Sequence, residues 1–399
     1  SSELQMGQAL KEIFETSTVK REDLIIQTKV SAMKAEDFRE TFEKSLELLQ
    51  VDYVDLFAFH GICMDFEYDL LFNNEDGENL IDIVKEYQAA GKIRHIGIST
   101  HGQPEQIRRF IETGQFEYAN IHYHPLGSYT ASGGGKSGGN KEIVELMKAH
   151  DMGVFIISPY DKGGSLYAPS AKLRSLTLPD MEPIQYGSLW LFNHEELGED
   201  NAPIHTIVCG AARPSDLDEP AVAAYLHGHR KNEMLGRVRA VEKRLHDAML
   251  EAHGEDWVKN WHEGVPNCST LEDPYNFGQM LSLYNIIKAW GMLEYSRSRY
   301  GTFDGNLKKW DWEKPVSENI QGIGSWKYMP GLALEPGKDY LKYLENVPDD
   351  RKEKVLEALQ FAHKFCSTTS DKSSFEVPKE WETAYDMRPW TAFPERPSS

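Results

Sequence analysis

One helix-to-strand unit stands out in the sequence, NLIDIVKEYQAAGKIRHIGIST, residues Asn79–Thr100. Its first half places four apolar side chains on one face of a helix: Leu80, Ile83, Val84 and Tyr87. Gly91 then suits the left-handed position that commonly follows a helix. The run Ile93–Thr100 is a nearly continuous apolar strand. A helix that leads straight into such a strand is typical of a parallel sheet covered by helices.

The same alternation extends on both sides of this unit, over about the first two hundred residues. Six strands are predicted: Leu24–Val30, Val54–His60, Ile93–Thr100, Tyr118–Tyr123, Val154–Pro159 and Thr206–Gly210. A closed (β/α)8 TIM barrel needs eight strands, and the first two would be absent from this chain and lie upstream of Ser1. The alternative is an open doubly wound sheet, which is disfavoured because no G-x-G-x-x-G follows the first strand.

The alternation ends near residue 233. We predict a barrel domain over 1–232, a helical domain over 233–366, and an extended tail over 367–399. Eight of the nine tryptophans lie after residue 233, so packed aromatic side chains are expected to hold the helical domain. The tail mixes prolines with aromatic residues, which favours an extended arm docked on its own chain, on a protein partner or on a second copy in a homo-oligomer.

Composition limits the possible partners. Acidic residues number 63 and basic residues 43, giving a net charge of −20, which disfavours binding to nucleic acid or an anionic membrane. No apolar run reaches the ~18–20 residues of a transmembrane helix. The four cysteines are scattered, which favours a soluble protein of a reducing compartment, either the cytoplasm or an organelle stroma or matrix.

Two polar residues close neighbouring strands, Lys29 and His60. The carboxyl ends of parallel strands commonly build the active site of such folds, so the pair is a catalytic candidate. Each residue alone has an ordinary explanation, because a lysine often extends its charge to solvent and a single histidine is often a core residue.

An ordered series of motifs resembles the aldo-keto reductases over about residues 1–225. Its members are Thr28-Lys29-Val30, Asp52–Leu56 followed by His60, Gly91–Ser99, Gly153–Gly164 and Thr206–Arg213. The resemblance is strongest to a branch whose barrel precedes an iron–sulfur helical domain. It implies hydride transfer between NADPH and a small-molecule carbonyl or alcohol, with an Asp-Tyr-Lys-His tetrad. Lys29 would lower the pKa of the tyrosine, and His60 would orient the carbonyl.

The tetrad's tyrosine and aspartate would lie just upstream of Ser2-Glu3. Either that segment is missing from this chain, or the protein has lost its proton donor. Two functions therefore stay open: an NADPH-dependent reductase or alcohol dehydrogenase, and a catalytically impaired scaffold or accessory subunit of a larger assembly.

The resemblance also implies residues for the cofactor. Ser99 and Asn120 match contacts to the carboxamide, whereas Thr100 replaces the usual asparagine. The remaining matches are expected near the phosphates: Ser158, Lys162, Gly163, Gly164, Gly210, Ala211 and Arg213. Paired glycines let backbone amides approach a pyrophosphate, and Arg213 could clamp a 2′-phosphate with two hydrogen bonds.

No metal and no iron–sulfur cluster are expected. The iron–sulfur relatives carry C-x₂-C-x₂-C-x₃-C-P runs, whereas Cys268 is followed by Ser269, Thr270 and Leu271. Cys366 falls on the apolar face of a predicted helix. His122 and His124 alternate along a strand, but a zinc site would need a third ligand.

Overall fold

The structure is a computed structural model that describes residues 2–126, 140–160, 165–199, 201–371 and 376–388. It divides the chain into two compact units. Unit 1 comprises Ser1–Ile121 and Leu146–Phe155, and unit 2 comprises His122–Glu145 and Ile156–Ser399. This division differs from the predicted boundary at residues 232/233.

All six predicted strands are present. They are β1 Gln27–Ser31, β2 Val54–His60, β3 Ile93–Ser99, β4 Tyr118–Ile121, β5 Gly153–Ile157 and β6 Thr206–Val208. The strand β2 has the predicted bounds, and one or both ends of the other five are shifted by one to three residues. The strands follow chain order in one sheet, and the pairs β1–β2, β2–β3 and β3–β4 are parallel. A parallel sheet with intervening helices is therefore confirmed, whereas closure by two further strands stays a prediction.

Helices alternate with the first five strands. They are α1 Ser2–Thr16, α2 Ala35–Leu49, α3 Asp65–Phe72, α4 Leu80–Ala89, α5 Pro104–Ile111 and α6 Lys141–Ala149. Gly91 follows α4 with φ +77°, which confirms the predicted left-handed position. The apolar face of α2 covers the sheet, because Phe38 and Phe42 pack on Phe57 with ring centroids 5.9 and 5.4 Å apart. Such burial fixes which face of the sheet the helices cover and leaves the other face for polar residues.

Unit 2 is mainly helical. Its helices are α7 Ala171–Thr177, α8 Pro183–Phe192, α9 His194–Leu197, α10 Asp218–His253, α11 Glu255–Asn260, α12 Phe277–Trp290, α13 Leu293–Lys309, α14 Val316–Gly322 and α15 Asp349–Cys366. The predicted boundary at 232/233 lies inside α10, close to a kink at Arg230. Six tryptophans are buried in this unit's core as expected: Trp257, Trp261, Trp290, Trp310, Trp326 and Trp381.

The cysteines of the helical region are core residues. Cys268 and Cys366 are both buried, and burial raises the pKa of the Cys268 thiol to about 12. Within the described ranges, three or more His, Cys, Asp or Glu side chains are nowhere grouped as a metal site would require. Over the same ranges, every helix is either too short or too polar to cross a bilayer.

Candidate active site

The strand register brings three of the predicted site residues to one end of the sheet in unit 1. His60, Ser99 and Asn120 are aligned with Ser31 across β1 to β4, at or beside the carboxyl end of each strand. Lys29 lies two residues before Ser31, so its side chain projects on the same face as this row. The register therefore places Lys29 and His60 on the same face of neighbouring strands.

Small residues surround Lys29 on that face. Ala58 and Gly97 are the residues aligned with it on β2 and β3. A Cβ at Gly97 would lie 2.4 Å from the ring of Tyr118, so only glycine fits there without a shift. The half-buried lysine therefore has room to extend across β2, and its Nζ donates a hydrogen bond to Ser99 Oγ over 3.2 Å.

Hydrogen bonds join the loop that follows β2 to the last residue of β3. The carbonyl of Ser99 accepts hydrogen bonds from the backbone amides of Gly61, at 2.7 Å, and Ile62, at 3.3 Å. Ser99 itself is buried, whereas His60 is exposed. This arrangement fixes the backbone on which His60 stands and leaves its imidazole within reach of a molecule from solvent.

Asn120 presents a buried acceptor. Its Nδ2 donates to the carbonyl of Ile98 over 3.2 Å, and its own carbonyl accepts from the amide of Thr100 over 3.1 Å. The side chain is fully buried, and its Oδ1 has no hydrogen-bond partner among the residues that the structure describes. Because an unsatisfied buried acceptor costs about 1–3 kcal/mol, this atom suits a donor from a bound molecule, such as a carboxamide N–H.

Thr100 serves the local backbone. Its hydroxyl donates to the carbonyl of Ile62 over 2.6 Å and accepts from the amide of Gly102 over 3.0 Å. These two bonds tie the loops after β2 and β3 together. The hydroxyl is thus already engaged at the position where the resemblance implies a cofactor contact.

Sequence reasoning missed two supports of this face. Glu67 accepts from the amides of Cys63, at 2.5 Å, and Met64, at 2.9 Å, and so fixes the loop after His60. Tyr118 shares the face with Lys29, and its hydroxyl accepts from Gln27 Nε2 at 3.0 Å. Burial raises the pKa of Tyr118, so it keeps its proton. The period-2 alternation of Tyr118 and Asn120 was the available signal.

The remaining described candidates lie in unit 2. Ser158 follows β5 with φ +50°, and the carbonyl of Gly210 accepts from the hydroxyl of Tyr167 over 3.0 Å. Ala211 is exposed. Arg213 donates from Nε and Nη2 to Asp216 Oδ1, at 2.9 and 2.7 Å. Three further candidates lie outside the described residues: Lys162, Gly163 and Gly164.

The stretch that forms this site also matches a protein-family model. Residues 1–181 match the model described as the Aldo/keto reductase family. Residues 1–181 are therefore similar in sequence to this family. The match contains the strand ends with Lys29, His60, Ser99 and Asn120, so the similarity covers the constellation in unit 1.

Curated proteins are also similar to part of this chain. The chain is 37% identical over 131 residues to aldo-keto reductase family 1 member C13 of Mus musculus, covering 30% of this chain and 40% of the relative. It is 32% identical over 167 residues to prostaglandin F synthase 1 of Bos taurus, covering 38% and 48%. The chain thus spans less than half the length of these relatives.

A solved structure of an aldo-keto reductase from Bacillus halodurans in its holo form is also similar. It is 21% identical, with a TM-score of 0.43, and the alignment covers 60% of this chain and 76% of that one. The match to the family model ends before Gly210, Ala211 and Arg213. The roles of those three residues, and the iron–sulfur branch, stay predictions.

Proposed function

We propose that this protein is an NADPH-dependent oxidoreductase that reduces a small-molecule carbonyl to an alcohol, or catalyses the reverse reaction. One observation carries the proposal: the Lys29 ammonium is hydrogen-bonded to Ser99 in a row with His60 and the unsatisfied Oδ1 of Asn120. A cation, an imidazole and amide or hydroxyl groups at strand ends are the groups that carbonyl reduction requires.

The residues present fit the nicotinamide cofactor at its carboxamide end. NADPH, when bound, supplies the hydride. The proposal assigns Ser99 and Asn120 to the carboxamide, since the buried Oδ1 of Asn120 needs a donor. It assigns Ser158, Gly210, Ala211 and Arg213 to the phosphates, together with the three candidates outside the described residues.

The protein's own task is to stabilise negative charge and move a proton at the substrate oxygen. Lys29 places a full positive charge at this end of the sheet, which favours a phenolate and so lowers the pKa of a proton-donating tyrosine. The exposed imidazole of His60 is assigned to the carbonyl oxygen, where it orients and polarises the bond.

The proposal includes the rest of the predicted setting. The parallel sheet is taken as part of an eight-stranded barrel, and the helical region as a ferredoxin-like domain without its cluster. The four cysteines are scattered and form no disulfide with one another, which favours a reducing compartment. The scaffold alternative is not favoured, because the matched relatives carry enzyme names.

Replacement of Lys29 tests the activity. We expect Lys29→Met to lower kcat/KM for NADPH-dependent reduction of an aldehyde and ketone panel by about 10²–10⁴-fold, because it removes the charge that assists proton transfer. The matched control is Lys11→Met, an exposed lysine on α1, which should leave kcat/KM unchanged.

The measurement is the loss of reduced-nicotinamide absorbance, together with circular dichroism to verify folding. A Lys29→Met variant as active as the parent would contradict the catalytic assignment. A parent protein that binds NADPH but turns over no carbonyl in the panel would favour the scaffold function instead.

A further inference from the structure

The loop at residues 61–64, here called the junction loop, follows His60 and turns across the end of β3. Gly61 has φ +69°, a left-handed conformation that glycine adopts without strain, so the chain changes direction directly after β2. The amides of Gly61 and Ile62 both donate to the carbonyl of Ser99. The imidazole of His60 is exposed, yet the backbone that follows it is fixed within two residues.

Two side chains hold the rest of the junction loop. Glu67 is buried, and its Oε2 accepts from the amides of Cys63, at 2.5 Å, and Met64, at 2.9 Å. The hydroxyl of Thr100 donates to the carbonyl of Ile62 over 2.6 Å. Every residue of the junction loop therefore has a backbone group that is hydrogen-bonded to a neighbouring element.

The Thr100 hydroxyl lies at the centre of this junction. Thr100 is buried, and its Oγ1 accepts from the amide of Gly102 over 3.0 Å and lies 3.8 Å from the Sγ of Cys63. A Cβ at Gly102 would lie 3.2 Å from this hydroxyl and 3.5 Å from the Cα of Cys63, so the two loops approach each other closely. The amide of His101 also donates to Cys63 Sγ, over 3.4 Å. The loops after β2 and β3 thus pack around one hydroxyl group.

Removal of this hydroxyl would affect both loops. The buried carbonyl of Ile62 would lose its donor, and the amide of Gly102 would lose its acceptor. Buried polar groups without partners are costly, so the junction loop would shift until water or another group satisfied them. Because His60 is joined directly to this loop, the shift would change the direction in which its imidazole points.

We propose that Thr100 is a positioning residue, which acts through the junction loop to hold the imidazole of His60 in the orientation that carbonyl reduction requires. This inference rests on the proposed function. Thr100 touches no reacting atom in this assignment, and its hydroxyl already has a protein acceptor and a protein donor. The carboxamide of the nicotinamide is then left to Ser99 and Asn120. The physical basis is that small displacements of a group that aligns the substrate lower the rate strongly.

Steady-state kinetics of the full chain test this role. We expect Thr100→Val, which keeps the branched shape and removes the hydroxyl, to lower kcat for NADPH-dependent reduction of the aldehyde and ketone panel about tenfold. Kd for NADPH, measured by quenching of tryptophan fluorescence, should stay within about twofold of the parent. Thr100→Ser retains a hydroxyl and should recover most of the lost kcat.

Thr113→Val is the matched control. The Thr113 hydroxyl makes the same pair of bonds, since it donates to the carbonyl of Phe110 over 2.6 Å and accepts from the amide of Gln115 over 3.3 Å. Both bonds stay within three residues of Thr113, at the end of α5. Thr113→Val should therefore leave kcat and the Kd for NADPH unchanged.

A second variant replaces Thr100→Val if that protein does not fold. Gly102→Ala places a Cβ 3.2 Å from the Thr100 hydroxyl, which displaces the hydroxyl without deleting it. We expect Gly102→Ala to lower kcat about threefold with the Kd for NADPH unchanged. Its control is Gly236→Ala on α10, where a Cβ would meet no described atom within 4 Å. A folded Gly102→Ala protein with the kcat of the parent would contradict the positioning role.

Thiol labelling reports on the junction without any turnover. Cys63 is buried beside the Thr100 hydroxyl, so in the parent it should react slowly with N-ethylmaleimide. Thr100→Val should speed the labelling of Cys63, whereas buried Cys268 should keep the rate of the parent. Mass spectrometry of peptides assigns the label. Equal labelling of Cys63 in variant and parent would show that the hydroxyl does not hold the junction loop.

The outcomes separate this inference from the proposed function. A raised Kd for NADPH in Thr100→Val with an unchanged kcat would assign the hydroxyl to the cofactor and overturn the inference. A lowered melting temperature with the kcat and Kd of the parent would show a purely structural role and would also overturn it. A parent that turns over no carbonyl in the panel would overturn the proposed function, and the inference with it.

Discussion

The strands of unit 1 carry polar side chains at both ends, but the acceptors of these side chains have hydrogen-bond partners at one end and lack one at the other. At the amino end, the carboxylate of Asp55 accepts from Arg21 Nη2, Arg94 Nη1 and the amide of Ile26, at 2.8, 2.8 and 2.9 Å. Both guanidinium groups also lie over the ring of Tyr53, at 4.0 and 4.3 Å. At the carboxyl end, Asn120 Oδ1 is buried without a partner among the described residues.

This difference shows which end holds the fold and which end can hold a ligand. Both carboxylate oxygens of Asp55 are engaged within the protein, so a ligand there would have to break existing bonds. Asn120 instead has a buried acceptor, Oδ1, without a partner among the described residues. Such an acceptor is expected where a bound group completes the hydrogen bonding. Parallel α/β folds commonly divide stability and chemistry between the two ends in this way.

The largest effect in this comparison is expected at the amino end. Asp55→Asn should lower the free energy of unfolding by about 2–4 kcal/mol, because it leaves two guanidinium groups without their shared carboxylate. Urea unfolding followed by circular dichroism measures the change. The exposed neighbour gives the control Asp52→Asn, expected within about 0.5 kcal/mol of the parent. A Asp55→Asn protein as stable as the control would contradict a structural role for this end.

The opposite end is tested by ligand affinity. Asn120→Leu should raise the Kd for NADPH about tenfold, because it removes the buried acceptor assigned to the carboxamide. Asn120→Gln keeps an amide and should recover much of that affinity. Calorimetric titration measures both variants. Equal affinity of Asn120→Leu and the parent would show that Oδ1 has no part in nucleotide binding.

The smallest expected effect is a change with pH in the stability difference between the parent and Asp55→Asn. Burial would raise the pKa of Asp55, but hydrogen bonds from Ile26 and Arg21 and the charges of Arg21 and Arg94 hold it below its usual value. A carboxyl whose pKa is lowered by folding contributes stability above its unfolded pKa of about 3.9, and loses it as the pH falls through the lower folded value. The stability gap between the parent and Asp55→Asn should therefore narrow below about pH 5.

Urea unfolding of both proteins at pH 7 and at stepwise lower pH measures that gap. A stability gap that stays constant as the pH falls would contradict the prediction, because it would show that the charge of Asp55 does not contribute to the gap.

Local patterns predicted the sheet well. The run Val54–His60 forms a strand with the predicted bounds, and Gly91 ends its helix in the expected left-handed conformation. Apolar continuity, amphipathic spacing and glycine chemistry act over a few residues, so a single sequence carries them in full. The motif order then indicated the family that residues 1–181 match.

Longer-range features were less accessible. The predicted boundary at 232/233 followed a change in composition; it lies inside α10, three residues after the kink at Arg230, and it stays a prediction. The stretch between β5 and β6 contains three helices, α7, α8 and α9, which were not predicted from the sequence. Helix continuity and packing depend on partners that are distant in sequence, and composition does not report them.

The sequence alone fixed the alternation of strands and helices, the polar residues that close the strands and the aromatic content of the helical region. Folding in three dimensions decided which of these groups meet. Register aligned His60, Ser99 and Asn120 and let Lys29 reach Ser99, while the C-terminal segment brought Met387 to Arg213 across 174 residues of chain. The physical reason is that hydrogen bonds and charges act through space, whereas sequence spacing constrains distance only within one element.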